Sequence, residues 1–268
     1  LKIQATHSIS SAANPKFKFL MGLEKSKSRK EQQLAFVEGD KEIEMALAGN
    51  IRFQSVFFVP EIANESLLKN IQTAFPQVEL IAINQALFSK VSYRETTGGM
   101  LAIIHAKSHD LQTLALPENA LILIVEGVEK PGNLGAILRT ADACAIDAVI
   151  ACHLPSDLYN PNIIRSSLGT VFTNQIALAS NTETQAWLKL NHFKTYCTNL
   201  HQADDYHHTD FKGNTAIIVG TEATGVTQSW IDFADQNIKI PMLGKIDSMN
   251  VSVAAAILLY EARRQRGF

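Results

Sequence analysis

The chain is 268 residues long, 46% hydrophobic and 19% charged, with a formal net charge of −2. That composition excludes a disordered, collagenous or low-complexity protein, and it supplies apolar surface for one large or two ordinary domains. The nearly neutral balance means that a polyanionic partner must be met by local clusters of positive charge. Cys144, Cys152 and Cys197 are too few and too scattered for a disulfide framework or a structural zinc site. They read as buried thiols in a reducing compartment. No run approaches the ~18 apolar residues that span a bilayer. The amino terminus lacks the apolar core of a secretion signal. A soluble, cytoplasmic protein is expected.

In chain order, the first feature is a basic lead: Lys16, Lys18, Lys25, Lys27, Arg29 and Lys30 stand against a single Glu24 between residues 15 and 30. It reads either as a solvated helix face or as a contact for a polyanion. The segments 53–59, 78–83 and 100–106 are rich in β-branched and aromatic residues and predict strands. Helical patterns at 41–48 and 65–74 lie between them and make a small alternating α/β unit. The stretch 106–119, with its charged start and Pro117, separates this unit from the rest, placing domains at 1–108 and 119–268 and a linker at 109–118.

Beyond the linker, 121–125, 147–151, 215–220 and 238–241 are short apolar runs bounded by turns, and runs that are apolar throughout suit parallel strands covered by helices on both faces. Helices are expected at 133–144, 161–168, 183–190 and 251–266. In such open α/β sheets, ligands sit outside the carboxyl ends of the strands. Three loops are therefore candidates for the site: 126–134, 220–226 and 241–250.

In the first loop Pro131-Gly132 makes a turn, Asn133 is placed to cap the next helix, and Gly135 permits close backbone approach. Arg139, six residues on, sits beside a helix amino terminus, where it suits a phosphate. A capping Asn and a surface Arg is the plainer alternative. In the second loop Gly220 and Gly225 flank Glu222 directly after a strand. The spacing is neither that of a P-loop nor that of a Rossmann turn, although backbone amides here can still hold a cofactor. In the third loop Ser248, Met249 and Asn250 open a helix whose first turns carry Ser252, Ala254, Ala255 and Ala256, so something packs there at close range; a second chain is one possibility. The segment 201–210, with His201, His207, His208, Asp204, Asp205 and Asp210, reads as a polar loop rather than a metal site.

Together the three loops resemble the signature motifs of the SpoU, or TrmH-type, RNA 2′-O-ribose methyltransferases of the SPOUT superfamily. Asn133, Gly135, Arg139 and Ala141 match the first motif, and Gly220, Glu222 and Gly225 the second. Ile240 to Met242, Ser248 to Ser252 and Tyr260 to Ala262 match the third. Residues 159–172 look like the family's Asn-Pro-x-x-x-Arg-x-Ser-x-Gly segment, with Arg165 as its arginine. Asn14-Pro15, the basic lead and Phe36 to Gly39 are similar to the family's substrate-binding domain. Ala145 in place of a Gly, and Thr221 in place of a frequent Asn or Ala, leave subfamily and substrate open.

The resemblance implies an α/β fold: a trefoil-knotted, open parallel sheet of SPOUT type with helices on both faces, preceded by a smaller ribosomal-protein-like α/β substrate-binding domain. It implies a homodimer using S-adenosylmethionine without a metal. The cofactor would be held by Gly220, Thr221, Gly225, Ile240, Met242, Leu243 and Met249. Asn133, Arg139, Glu222, Ser248 and Asn250 would be the catalytic group. RNA would be contacted by Lys16, Lys18, Lys25, Lys27, Arg29, Lys30 and Arg165. By analogy the substrate is rRNA, most readily 23S rRNA, with tRNA methylation or a catalytically silent RNA-binding protein of the same fold as alternatives.

Overall fold

Strands form where β-branched and aromatic residues run together, and two sheets result in the computed structural model, which describes residues 5–93, 98–200, 202–221 and 224–268. The chain divides into two compact units. One comprises the chain up to Lys107 together with Asp157–Thr173; the other is Ser108–Ser156 with Asn174–Phe268.

The first unit runs β1 (His7–Ile9), α1 (Pro15–Gly22), α2 (Ser26–Gln32), β2 (Leu34–Glu38), α3 (Asp40–Ala48), β3 (Phe53–Phe58), α4 (Glu65–Ala74), β4 (Glu79–Ile83), α5 (Gln85–Val91) and β5 (Met100–His105). Three of its helices start at an asparagine whose side chain accepts an otherwise unpaired amide: Asn14 from Lys16, Asn64 from Leu67 and Asn84 from Leu87. The sheet order is β1-β4-β3-β5-β2, with β5 antiparallel to both neighbours and the other pairs parallel. Phe17 and Leu20 of α1, Leu23 just past its end, and Leu87, Phe88 and Val91 of α5 pack with Phe36, Phe57, Ile81 and Ile103. These strand positions alternate, so one sheet face carries them.

The second unit starts with β6 (Leu121–Glu126), α6 (Pro131–Ala143) and β7 (Ala148–Cys152). The chain then lends α7 (Pro161–Ser166) to the first unit. It resumes as β8 (Ile176–Ala179), α8 (Asn181–Leu190), β9 (Lys194–Thr198), β10 (Asp204–Asp205), β11 (Thr215–Val219), α9 (Gln228–Phe233), β12 (Gln236–Lys239) and α10 (Val251–Arg266). The sheet order is β10-β12-β9-β11-β6-β7-β8, parallel throughout. Every residue of β6, β7 and β11 is buried, which explains why these strands are apolar without alternation. Leu111, inside the expected linker, is buried in this unit's core.

Arg263 anchors α10 to the end of α6: its Nε donates to Cys144 O at 2.8 Å, and its Nη2 to Ala145 O. A cation at a helix carboxyl end satisfies the last carbonyls and opposes the helix dipole. No helix among the described residues is long and apolar enough to cross a membrane.

Candidate functional site

Because all strands of the second sheet run one way, their carboxyl ends share an edge, and the loops that follow them meet there. A cleft of about 570 Å³ opens at this edge, between the ends of β9, β11 and β12 and the start of α10. It falls within the ~300–1,000 Å³ of small-molecule clefts. Its walls include Val219, Ile231, Ile238, Ile240, Met242 and Met249, an apolar surface suited to a flat ring, with polar groups on Thr221 and Ser248.

The loop after β11 is folded tightly. Thr221 and Gly225 exchange two backbone hydrogen bonds at 3.0 Å each, and the Thr221 hydroxyl accepts from Thr224 N at 3.0 Å. Gly225 has φ +68°, and a Cβ on Gly220 would lie 2.2 Å from Gly225 O. Both glycines are therefore required: one by its left-handed backbone, the other by close approach of the returning chain.

Glu126, at the end of β6, underpins this loop. It is 4% exposed. Its Oε2 accepts from Thr227 N at 2.7 Å, and its Oε1 from Thr227 Oγ1 at 2.8 Å and Asn181 Nδ2 at 2.5 Å. A buried carboxylate is tolerated when its lone pairs are filled in this way. The sequence signals it as an acid ending an otherwise apolar strand.

Asn133 is not the cap expected of it. Helix α6 begins at Pro131, with Lys130 at the cap position and no side-chain cap, so Asn133 sits in the first turn. Its Oδ1 instead accepts from Asn250 Nδ2 at 3.2 Å, joining the first loop to the third. Asn250 does cap α10, its Oδ1 accepting from Ser252 N at 3.0 Å and from Ser252 Oγ. Arg139 is exposed on α6, outside the cleft lining, and its guanidinium makes no hydrogen bond or ion pair to the described residues. It is thus available to a ligand.

Of the expected cofactor set, Gly220, Thr221, Gly225, Ile240, Met242 and Met249 line the cleft. Leu243 does not: its side chain is 98% exposed, because the loop turns outward there. Of the expected catalytic set, Ser248 lines the cleft, while Glu222 lies outside the described residues.

The basic lead divides sharply. Lys18, Lys25, Lys27 and Lys30 are exposed, and Lys16 is half-buried in an ion pair with Glu79. Arg29 is 4% exposed and points inward, pairing with Asp157 through Nη2 and Nε and donating from Nη1 to Leu23 O and Glu24 O at 2.7 Å. Arg29 is therefore not an RNA contact; it fastens Asp157–Thr173 to α2. Arg165 is half-buried, with its Nη2 on Asn162 Oδ1 at 2.9 Å.

Asp205, His207 and His208 bring ligand atoms within 4.8 Å of one another, and Asp205 also lies 3.9 Å from Lys239. His201 lies outside the described residues. All three cysteines are free and buried. Burial pushes Cys152 up to about 11 and Cys197 up to about 12, so neither is a nucleophile.

Two family models match the chain: the SpoU rRNA Methylase family over residues 120–260, and the MRM3-like substrate binding domain over residues 14–102. The chain belongs to the SpoU rRNA methylase family. It is 31% identical, over 95% of its length and 98% of the relative's, to the 23S rRNA (guanosine(2553)-2′-O)-methyltransferase RlmP of Bacillus subtilis. It resembles the crystal structure of an RNA 2′-O ribose methyltransferase at TM-score 0.81 and 36% identity, covering 97% of this chain and 99% of that one. The AviRb methyltransferase of Streptomyces viridochromogenes, solved with AdoMet, matches at TM-score 0.85 and 25% identity, covering 94% of this chain and 98% of that one. The fold class expected from the motifs, a SPOUT-type parallel sheet with an amino-terminal substrate-binding domain, is the one observed.

Proposed function

We propose that this protein is an S-adenosylmethionine-dependent RNA methyltransferase that methylates a ribose 2′-hydroxyl of 23S rRNA. The observation that carries this reading is a cleft at the strand ends lined by the second and third family loops, with the first loop tied to the third through Asn133 and Asn250 and with Arg139 exposed outside it. The RlmP and AviRb relatives support the choice of rRNA.

The apolar cleft residues and the backbone of the loop Gly220–Gly225 would hold the cofactor, which supplies a methyl carbon bonded to a sulfonium and leaves as a neutral thioether. The protein has to orient the 2′-hydroxyl in line and ease loss of its proton. A guanidinium almost never gives up its proton, so Arg139 is not a base. It clamps an RNA phosphate and polarises the hydroxyl, while that phosphate or a water takes the proton. The Asn133–Asn250 pair fixes the ribose side of the site together with Ser248, and Glu222 joins the catalytic group through its motif.

Residues 1–108, joined through 109–118 to a methyltransferase part at 119–268, bind the RNA; Lys18, Lys25, Lys27, Lys30 and Arg165 are its contacts. A cytoplasmic homodimer is proposed, with Arg139 reaching the partner's site. Val253 and Tyr260, exposed by 49% and 46% on α10, offer apolar surface for it.

The test is transfer of labelled methyl from S-adenosylmethionine onto unmodified 23S rRNA and tRNA. Label is expected in the 2′-O-position of 23S rRNA, and Arg139→Ala should lower the rate by roughly 10²–10⁴ with cofactor affinity unchanged. Label in tRNA alone would reassign the substrate. Cofactor binding without transfer to naked or ribosome-bound RNA would favour a silent binder.

A further inference from the structure

On one face of the first sheet, Ser55, Glu79 and Ile103 lie side by side on neighbouring strands, as their registers require. Helix α1 covers the neighbouring Phe57 and Ile81 with Phe17 and Leu20. Where that cover ends, a groove of about 970 Å³ opens across β3, β4 and β5, bounded by Lys16 and Phe19 on one side and the segment 74–78 on the other. A bulge between Phe53 and Ser55 bends β3 at this point.

The lining is chemically mixed in a particular way. Phe19 is 38% exposed, and Phe75 packs on Phe53 with ring centroids 5.5 Å apart, so flat aromatic faces border the groove. Arg52 is exposed on the rim, and its guanidinium makes no ion pair or hydrogen bond to the described residues. The one carboxylate in the lining, Glu79, is neutralised by Lys16. His105 lies next to Arg52; burial, and then the charge of Arg52, push its pKa below the usual histidine value. Exposed Gln54 and Gln77 add amide groups able to bond base edges.

Aromatic faces, an uncompensated cation and neutral donors and acceptors are what single-stranded nucleic acid requires, since bases stack and phosphates need charge. We propose that this groove binds a single-stranded segment of the substrate RNA, with a base stacked against Phe19 or Phe75 and a phosphate on Arg52. The assignment rests on the RNA-methyltransferase reading and adds a contact surface beyond Lys25, Lys27 and Lys30 of the basic lead.

The test uses the full chain, a fluorescein-labelled single-stranded oligouridylate for binding, and a 23S rRNA transcript for methylation. Phe19→Ala and Arg52→Ala alter exposed side chains, so folding is not at stake. Each is expected to weaken oligouridylate binding about five- to tenfold and to raise KM for the transcript similarly, with kcat and cofactor affinity unchanged. Loss of Arg52 should also reduce the slope of log affinity against log salt by about 0.7. Ultraviolet cross-links on the wild-type chain should fall at Phe19 or within residues 50–55 or 74–79. Affinities and KM within about twofold of wild type in both variants, or cross-links confined to residues 25–30, would overturn the groove while leaving the enzyme reading intact. A wild-type chain that holds the cofactor but neither binds nor methylates RNA would overturn both.

Discussion

The two sheets respond differently to the same kind of alternating sequence. In the second, parallel pairing throughout sends every strand's carboxyl end to one edge, so loops separated by more than a hundred residues meet: Asn133 touches Asn250, and Glu126 holds Thr227. In the first, β5 runs against its neighbours and no single edge gathers the chemistry. There, six basic residues clustered in the chain meet different fates: Arg29 is sealed inside, Lys16 is paired, and four lysines face solvent. Motif order translates into a site where topology is uniform. Local charge translates into a site only after burial has selected among its members.

The contrast can be broken most decisively at Gly220. A Cβ there would sit 2.2 Å from a backbone oxygen that belongs to the same tight loop and cannot retreat. Gly220→Ala should abolish measurable S-adenosylmethionine binding in calorimetry, a loss of at least about a hundredfold, while the circular dichroism of the fold persists. If binding survived, the cleft's dependence on that loop would be wrong.

Next in size is Arg29→Ala. Removing one partner of a buried ion pair strands the other, so urea unfolding should show a loss of about 3–5 kcal/mol. Lys30→Ala, on the same helix but exposed, should stay within about 0.5 kcal/mol. Equal effects at the two positions would erase the distinction drawn between buried and solvated members of the lead.

A smaller effect is expected from Glu126→Gln. The amide keeps the shape but cannot accept at both ends, so one of the bonds to Thr227 or Asn181 is lost. Cofactor Kd should rise about tenfold with little change in KM for RNA, because the loop that Glu126 supports belongs to the cofactor cleft. A purely structural role would move melting temperature and leave the Kd of the folded protein alone.

The smallest effect concerns the thiols. Burial holds Cys152 at about 11 and Cys197 at about 12, and raises Cys144. A raised thiol pKa means less thiolate at pH 8, so labelling by a disulfide reagent at that pH should be slow in the native chain. It should become complete for all three cysteines only on unfolding. Fast labelling of any of them would place that residue outside the core.

Much of this architecture is written locally. Wholly apolar runs such as Leu121–Val125 and Ala216–Val219 announce buried parallel strands, because a strand covered on both faces has no reason to alternate. Asn250 declares the start of α10, since an asparagine before small residues satisfies the first amides. Gly220 and Gly225 mark a turn that other residues could not make. Other elements are not legible. Strand β9, Lys194–Thr198, is polar at both ends and owes its place to pairing with β11 and β12. The roles of Asn133, Arg29 and Leu243 were also undetermined by the chain alone: one becomes a bridge between loops, one a buried clamp, one a solvated side chain. Propensity, capping and apolar pattern act between near neighbours and can be read along the chain. Burial and hydrogen-bond partnership depend on residues far away in sequence, so only the folded structure decides which asparagine bridges and which arginine is spent on the core.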